Sequence, residues 1–195
     1  MTMPPDYFDR MYAEDSDPWG FASRWYEHRK HALTLAALPE REYMNALEIG
    51  CSIGVLTSQL AARCVSLTAL DPSAAALETA HNRVPSGVTL LQGSVPGDWP
   101  TGQWDLVVLS EVGYYLSGTD LELMLDLIDR NLLPGGTVVA CHWRHPVADY
   151  PRTGDQVHSA LARWPRQSRV EEEDFLLDVL VPGGALSVAQ REGLL

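Results

Sequence analysis

The stretch Leu47-Glu-Ile-Gly-Cys-Ser-Ile-Gly54 joins a short apolar run, Tyr43–Ile49, to a segment with helical spacing, Val55–Arg63. A buried strand that stops at glycine and passes straight into a helix opens a strand–helix–strand unit. The alternation continues downstream. Val65–Leu70 predicts a second strand, ending at Asp71, and Pro72 suits the first position of the alanine-rich helix Ser73–Val84. Val88–Gln92 and Trp104–Leu109 predict two more strands. Leu121–Leu133 carries leucines at helical spacing and meets a stop signal at Pro134-Gly135-Gly136. Thr137–Trp143 reads as a fifth strand, and Gln156–Trp164 as a helix closed by Pro165. Arg169–Val181 predicts two antiparallel strands with a break near Glu173–Leu176. Such regular alternation implies an α/β fold: a mostly parallel sheet with crossover helices on both faces.

Residues 1–40 stand apart from this pattern. Phe21, Trp25, Ala32, Leu35 and Ala36 fit one helical face, with Arg24, Glu27, Arg29 and Lys30 elsewhere. They predict one or two helices across the top of the sheet, a cap or lid over a main domain at 41–195. No linker, repeat or low-complexity tract suggests a further domain.

Composition narrows the function. The formal net charge is −12, from 26 acidic and 14 basic residues. That argues against nucleic acid or an anionic membrane as partner, since both select a basic footprint. The three cysteines include no Cys-x-x-Cys, so a reducing, cytoplasmic setting is expected. No apolar run approaches the roughly 18 residues of a membrane span. A small-molecule partner is the expectation, and no motif fixes an oligomeric state.

In an open α/β sheet, ligands bind beyond the carboxyl ends of the strands. Gly50 permits a tight turn there, and Gly54 lets helix, strand and ligand approach closely. A dinucleotide fingerprint starting at Gly50 needs glycine at 52 and 55, where Ser52 and Val55 stand. An acidic residue followed by Gly-x-small-x-Gly fits Glu48, Gly50, Ser52 and Gly54, the pattern suited to S-adenosylmethionine, which has no pyrophosphate. Asp71 at the end of the second strand can accept hydrogen bonds from both ribose hydroxyls. Glu48, inside a buried strand, needs hydrogen-bond partners and is read as organising the loop and reaching toward the cofactor's amino acid end. Cys51 reads as structural, at a position that needs a small side chain. Pro72, Gly93, Ser94 and Val95 are expected around the adenosine, and Ser110 and Glu111 beside the methyl group.

These segments, with Trp104-Asp-Leu-Val-Val-Leu-Ser-Glu-Val-Gly-Tyr-Tyr-Leu116 and Leu133-Pro-Gly-Gly136, resemble the class I S-adenosylmethionine-dependent methyltransferases. Asp17-Pro-Trp19, Tyr26-Glu27 and Ser110-Glu-Val-Gly-Tyr-Tyr-Leu116 narrow the resemblance, over residues 15–140, to the nodulation protein S type of N-methyltransferase. That resemblance implies a Rossmann-like, seven-stranded, mostly parallel sheet with a final antiparallel strand and an N-terminal helical cap. It implies S-adenosylmethionine as donor and N-methylation of a glucosamine unit in a chitooligosaccharide, or of a similar amine. It also implies that Lys30 pairs with the cofactor's carboxylate; Trp19 and Tyr26 of the same N-terminal segment are further candidates for the cofactor site. The superfamily commonly meets the adenine amino group with an acidic residue. Here Ser94 stands at that point, with Asp98 nearby as a substitute.

Methyl transfer to an amine needs alignment of nucleophile and methyl, and removal of a proton. Glu111 is placed to orient the amine or take its proton. Tyr114 is the favoured aromatic of the acceptor pocket. His142 and His145 are candidate bases, and their use would point instead to an O-methyltransferase of natural-product biosynthesis. A non-catalytic cofactor-binding module is the remaining alternative. His142-x-x-His145 also has the look of a metal pair, with Asp149 or His158 as third ligand. Nothing else has zinc-like spacing, so no metal is expected. Arg144, Asp149 and Arg152 are expected to make a polar mouth.

Overall fold

The computed structural model describes residues 1–184 and 186–195. Seven strands form one sheet: β1 Ala46–Ile49, β2 Leu67–Asp71, β3 Val88–Gln92, β4 Trp104–Ser110, β5 Leu132–Trp143, β6 Arg166–Glu171 and β7 Phe175–Leu180. Their order is β3-β2-β1-β4-β5-β7-β6. β1 to β5 pair in parallel, and β7 runs antiparallel between β5 and β6. The chain steps outward from β1 to β3 and then returns to place β4 on the other side of β1. The strand order therefore reverses between β1 and β4, the position at which such sheets open a crevice.

The helices are α1 Pro5–Glu14, α2 Trp25–Ala37, α3 Val55–Leu60, α4 Ala74–His81, α5 Gly118–Asn131, α6 Gly154–Leu161 and α7 Val188–Arg191. Strand alternation sends Leu47, Ile49, Val107, Leu109, Val138 and Ala140 to one face, where Leu121, Met124 and Ile128 of α5 and Val157 and Leu161 of α6 cover them. Ala46, Leu106, Val108, Val139 and Cys141 point to the other face, under Leu56 and Leu60 of α3 and Leu33 and Ala37 of α2. Each such fully buried Leu, Ile or Val contributes about 1.5–3 kcal/mol relative to exposure. Among the described residues, no helix is long and apolar enough to cross a membrane.

Three expectations change. Pro72 lies outside α4, because Ser73 is the N-cap and its hydroxyl accepts the Ala76 N–H at 3.4 Å. Pro134-Gly135-Gly136 does not stop the helix. α5 ends at Asn131, and β5 begins at Leu132 and runs through that stretch, slipping register against β4 between Trp104 and Leu106. The predicted apolar face of α2 is not the buried one. Trp25 is 75% exposed, and Ala32 and Ala36 face solvent. The buried stripe is Glu27, Lys30, His31 and Thr34, spaced i, i+3, i+4, i+7. It is polar because α2 lies beside the strand ends, where Lys30 meets Glu111 across the crevice.

The amino-terminal residues reach the same edge. Tyr12 of α1 packs with Ile53, Val55 and Ala76. The Met3 N–H bonds the Tyr115 carbonyl at 2.9 Å, and the Ser117 N–H bonds the Thr2 hydroxyl at 2.8 Å.

Candidate functional site

A cavity of about 500 Å³ opens at the carboxyl ends of the strands. Its wall takes Ile49 from β1 and Gly50 after it, Asp71 from β2, Gly93 after β3, Ser110 from β4 and Glu111 after it, and Trp143 from β5. The volume is typical of a site for a cofactor or small metabolite.

One half is built on the glycine loop. Gly50 has φ +74°, and a Cβ there would stand 2.3 Å from Cγ2 of Val112. Gly54, with φ +77°, caps α3 and leaves only 2.9 Å between a hypothetical Cβ and Val84. Any side chain at either position is strained and crowded. Asp71 is 6% exposed, and its two oxygens accept the Ser52 N–H at 2.8 Å and the Ser73 N–H at 2.9 Å. Each oxygen keeps a further lone pair. Burial pushes this carboxyl up to about 6, against the lowering effect of the two N–H donors. The Tyr12 hydroxyl meets the Ser52 hydroxyl over the loop. Pro72, Ser94 and Val95 complete this half, with Trp19 on the N-terminal side. Asp98, expected as a substitute at the adenine position, turns its carboxylate back to accept the Ser94 N–H at 2.9 Å and is absent from the cavity wall.

Glu48, expected to reach toward the cofactor, is instead absent from the wall of the large cavity and lines a neighbouring space of about 30 Å³ shared with His31, Cys51, Ser52 and Glu111. Burial pushes Glu48 up to about 8 and His31 down to about 4. Among the described residues, Glu48 Oε2 and His31 Nδ1 find no hydrogen-bond partner. A space this size admits one water-sized polar group. Burial also raises the Cys51 thiol well above its usual range, which fits a packing residue rather than a nucleophile.

The other half is organised by Glu111. Its φ is +59°, a left-handed conformation uncommon outside glycine, and it turns the chain sharply at the end of β4. The carboxylate accepts from Lys30 Nζ at 2.5 Å, the Tyr114 hydroxyl at 2.5 Å and the Trp143 N–H at 3.0 Å. Lys30 is 2% exposed and also lies 2.9 Å from Glu27, with its ammonium 4.9 Å from the Tyr26 ring centroid. Burial works against this ammonium, but Glu111 and Glu27 outweigh it and raise its pKa. The partners of Lys30 are therefore two carboxylates of the protein itself. Tyr114 stacks on Tyr150 with centroids 5.2 Å apart, and both rings line the wall.

The two candidate histidine bases are not placed to act on an acceptor. His142 is fully buried on the α6 side of the sheet, and burial holds its pKa well below the usual histidine value. Its Nε2 accepts the Gly113 N–H at 3.0 Å, and its Nδ1 lies 3.2 Å from Nε2 of His158. His158 Nδ1 is 2.7 Å from Asp178, which Arg169 and Arg166 also hold. Since a backbone amide only donates, the protons have one order: Nδ1–H of His142 to His158, and Nδ1–H of His158 to Asp178. His145 turns outward to Asp174 at 2.8 Å and does not line the cavity; Asp174 does. At the expected polar mouth, Arg144 pairs with Asp155 and Arg152 bonds the Leu116 carbonyl. Neither is on the cavity wall.

The sequence reading missed Glu27, Tyr12, Phe8, Trp143 and Tyr150, all on the wall. For Glu27 the signal was present: four polar residues spaced to share one face of a helix.

Known proteins place this arrangement. The family model described as Nodulation protein S (NodS) matches residues 6–148. Nodulation protein S of Rhizobium tropici is 32% identical over 127 residues, covering 63% of this chain and 53% of that protein. The chain thus spans about half the length of that curated relative. The crystal structure of the N-methyltransferase NodS from Bradyrhizobium japonicum WM9, in complex with S-adenosyl-L-homocysteine, superposes with a TM-score of 0.83 at 27% identity. That match covers 92% of this chain and 98% of the other. A Pseudomonas syringae protein assigned as a methyltransferase is 41% identical, with a TM-score of 0.72, over 81% of this chain and 99% of its own. With its seven-stranded methyltransferase fold and a family match over well more than half its length, the chain belongs to the nodulation protein S family.

Proposed function

We propose that the protein is an S-adenosylmethionine-dependent methyltransferase acting on the nitrogen of an amino sugar, an amino-oligosaccharide or a similar small amine. The observation that carries this reading is a single cavity with two chemically different ends. At one end Asp71 keeps free lone pairs beside the crowded glycine loop, as a ribose requires. At the other, Lys30 faces the two carboxylates Glu27 and Glu111, and with Arg24 and Asp174 also on the wall the excess is negative, suited to a cationic amine. The B. japonicum relative with S-adenosyl-L-homocysteine supports the choice of donor. When bound, the donor supplies an electrophilic methyl on a sulfonium.

In this reading, Asp71 holds the ribose, and Gly93, Ser94 and Val95 enclose the adenine. Glu111 and Lys30 fix the geometry of the acceptor end, while Tyr114, Tyr150 and Trp143 offer rings for a sugar face. Residues 1–40 act as the cap that excludes water from the transfer. An oxygen acceptor is disfavoured, because His142 is buried and His145 faces outward.

The test is calorimetry with S-adenosylmethionine, S-adenosylhomocysteine and NAD, followed by methyl transfer from labelled donor to glucosamine oligomers. Binding of the sulfur ligands alone, with label appearing on nitrogen, is the expected result. No binding of either sulfur ligand would sink the reading.

Cofactor affinity should also depend on pH through Asp71. Ribose hydroxyls donate to the ionised carboxylate, and burial sets its protonation near pH 6 in the free protein. Affinity is then full above that value and falls as pH drops through it. For one titrating group, the loss is about tenfold at one pH unit below its pKa. Calorimetry with S-adenosylhomocysteine at pH 7.5 and pH 5 checks this, and Asp71→Asn should flatten the profile.

A further inference from the structure

The cluster at the acceptor end holds one more carboxylate than it needs to pair its lysine. Lys30 is the ammonium shared by Glu27, at 2.9 Å, and Glu111, at 2.5 Å. Glu111 is committed elsewhere as well, with Oε1 on Lys30 and Oε2 taking both the Tyr114 hydroxyl and the Trp143 N–H. Glu27 has no such set. Among the described residues its close partner is Lys30, and His31 stands at 4.0 Å. It is 6% exposed yet forms part of the cavity wall. Within the cluster two carboxylates share one ammonium; Arg24 and Asp174, also on the wall, add one charge of each sign, so the excess stays negative.

We infer that Glu27 is the carboxylate that receives the acceptor's ammonium and takes its proton, with Lys30 and Glu111 holding it in position. The inference rests on the methyltransferase reading and names a base for it. In the step, an N–H bond of the ammonium breaks and its proton goes to a Glu27 oxygen. The nitrogen lone pair so released forms the C–N bond as the C–S bond breaks, its electron pair passing to sulfur. Glu27 then gives its proton to water.

The surroundings suit the role. Burial raises Glu27 above the usual carboxylate range; Lys30 and Arg24 oppose that, and Glu111 adds to it. His31 beside it is held neutral by burial at about 4, and the Cys141 thiol, raised by burial, adds no charge. A buried carboxylate with a raised pKa and one partner is a better proton acceptor than one fixed by three donors.

The experiment uses the full chain saturated with S-adenosylhomocysteine. Calorimetry compares a glucosamine trimer with its N-acetylated counterpart, in wild type and Glu27→Gln. The expected result is a preference of at least about tenfold for the amine in wild type, lost in the variant, with cofactor affinity unchanged. Single-turnover methyl transfer at pH 7 should slow about 100-fold in Glu27→Gln. The deficit should shrink as pH approaches the amine's own pKa, where the acceptor arrives already deprotonated; a merely structural defect would not recover. Glu27→Asp keeps a carboxylate and carries the same test if the glutamine variant fails to fold: slower transfer with the amine preference kept. Equal binding of amine and amide in wild type overturns the inference, as does a wild-type rate in either variant. Amine preference without any methyl transfer would leave the ammonium site standing and remove the methyltransferase reading. Methyl transfer at full rate in Glu27→Gln would do the reverse.

Discussion

Replacing Asp178 with alanine is expected to destabilise the fold by about 3 kcal/mol, the lower end of what losing one partner of a buried ion pair costs. Asp178 has no exposed surface and sits on β7 with His158, Arg169 and Arg166 converging on it. Burial alone would raise its pKa, but the hydrogen bonds from Arg169 and His158 win and hold it well below the usual carboxylate range. Without it, His158, which is 2% exposed, keeps a buried Nδ1–H with no acceptor. The arginine side chains, 27% and 37% exposed, can turn to water, and that keeps the cost from being larger. Asp178→Asn retains an acceptor for His158 and should lose roughly half as much. Urea denaturation at pH 7 measures both, and a loss below about 1 kcal/mol in the alanine variant would show that the network contributes little.

Asp71→Ala is expected to cost cofactor binding about 3 kcal/mol, roughly 100-fold, without unfolding the chain. The side chain does two things at once. It offers its free lone pairs to the ligand, and it secures the Ser52 and Ser73 N–H groups that shape the loop and the start of α4. Ser52 itself has φ +51°, so the loop holds an uncommon backbone shape with one of its ties at this carboxylate. Asp71→Asn keeps one acceptor oxygen and should lose about 1–2 kcal/mol. Calorimetry with S-adenosylhomocysteine separates the two variants. An alanine variant that binds like wild type would mean the ribose lies elsewhere.

The parts of the site legible in the sequence are those encoded contiguously. A strand, a glycine turn and a helix follow one another over Leu47–Leu60, so Gly50, Gly54 and the carboxylate closing the next strand can be placed from local pattern alone. Glu111 follows by the same logic at the end of β4. The stripe of α2 was not legible, because amphipathic reasoning assigns apolar residues to the buried side. Lys30 is buried instead by its partner Glu111, which is distant in sequence and becomes visible only when the sheet closes. His142 misled for a different reason. Being next to a strand end suggested a rim position, but alternation along β5 sends Val138, Ala140 and His142 to the α5–α6 face and Val139 and Cys141 to the other. Period-two parity held that answer. The bulged start of β5 was hidden because Pro-Gly-Gly serves equally as a helix stop and as an irregularity in a strand.

The chain of imidazoles behind the acceptor end runs in one direction. Its proton order is pinned at one terminus by the Gly113 amide, which cannot surrender its hydrogen, and every later proton points away from the crevice toward Asp178. Such a wire polarises and stiffens the turn that carries Tyr114, but it is closed to traffic. In the proposed reaction, a proton gathered at Glu27 would have no exit through the back of the sheet along it. It would leave through the same mouth as the methylated product, which would tie the resetting of the base to the emptying of the site.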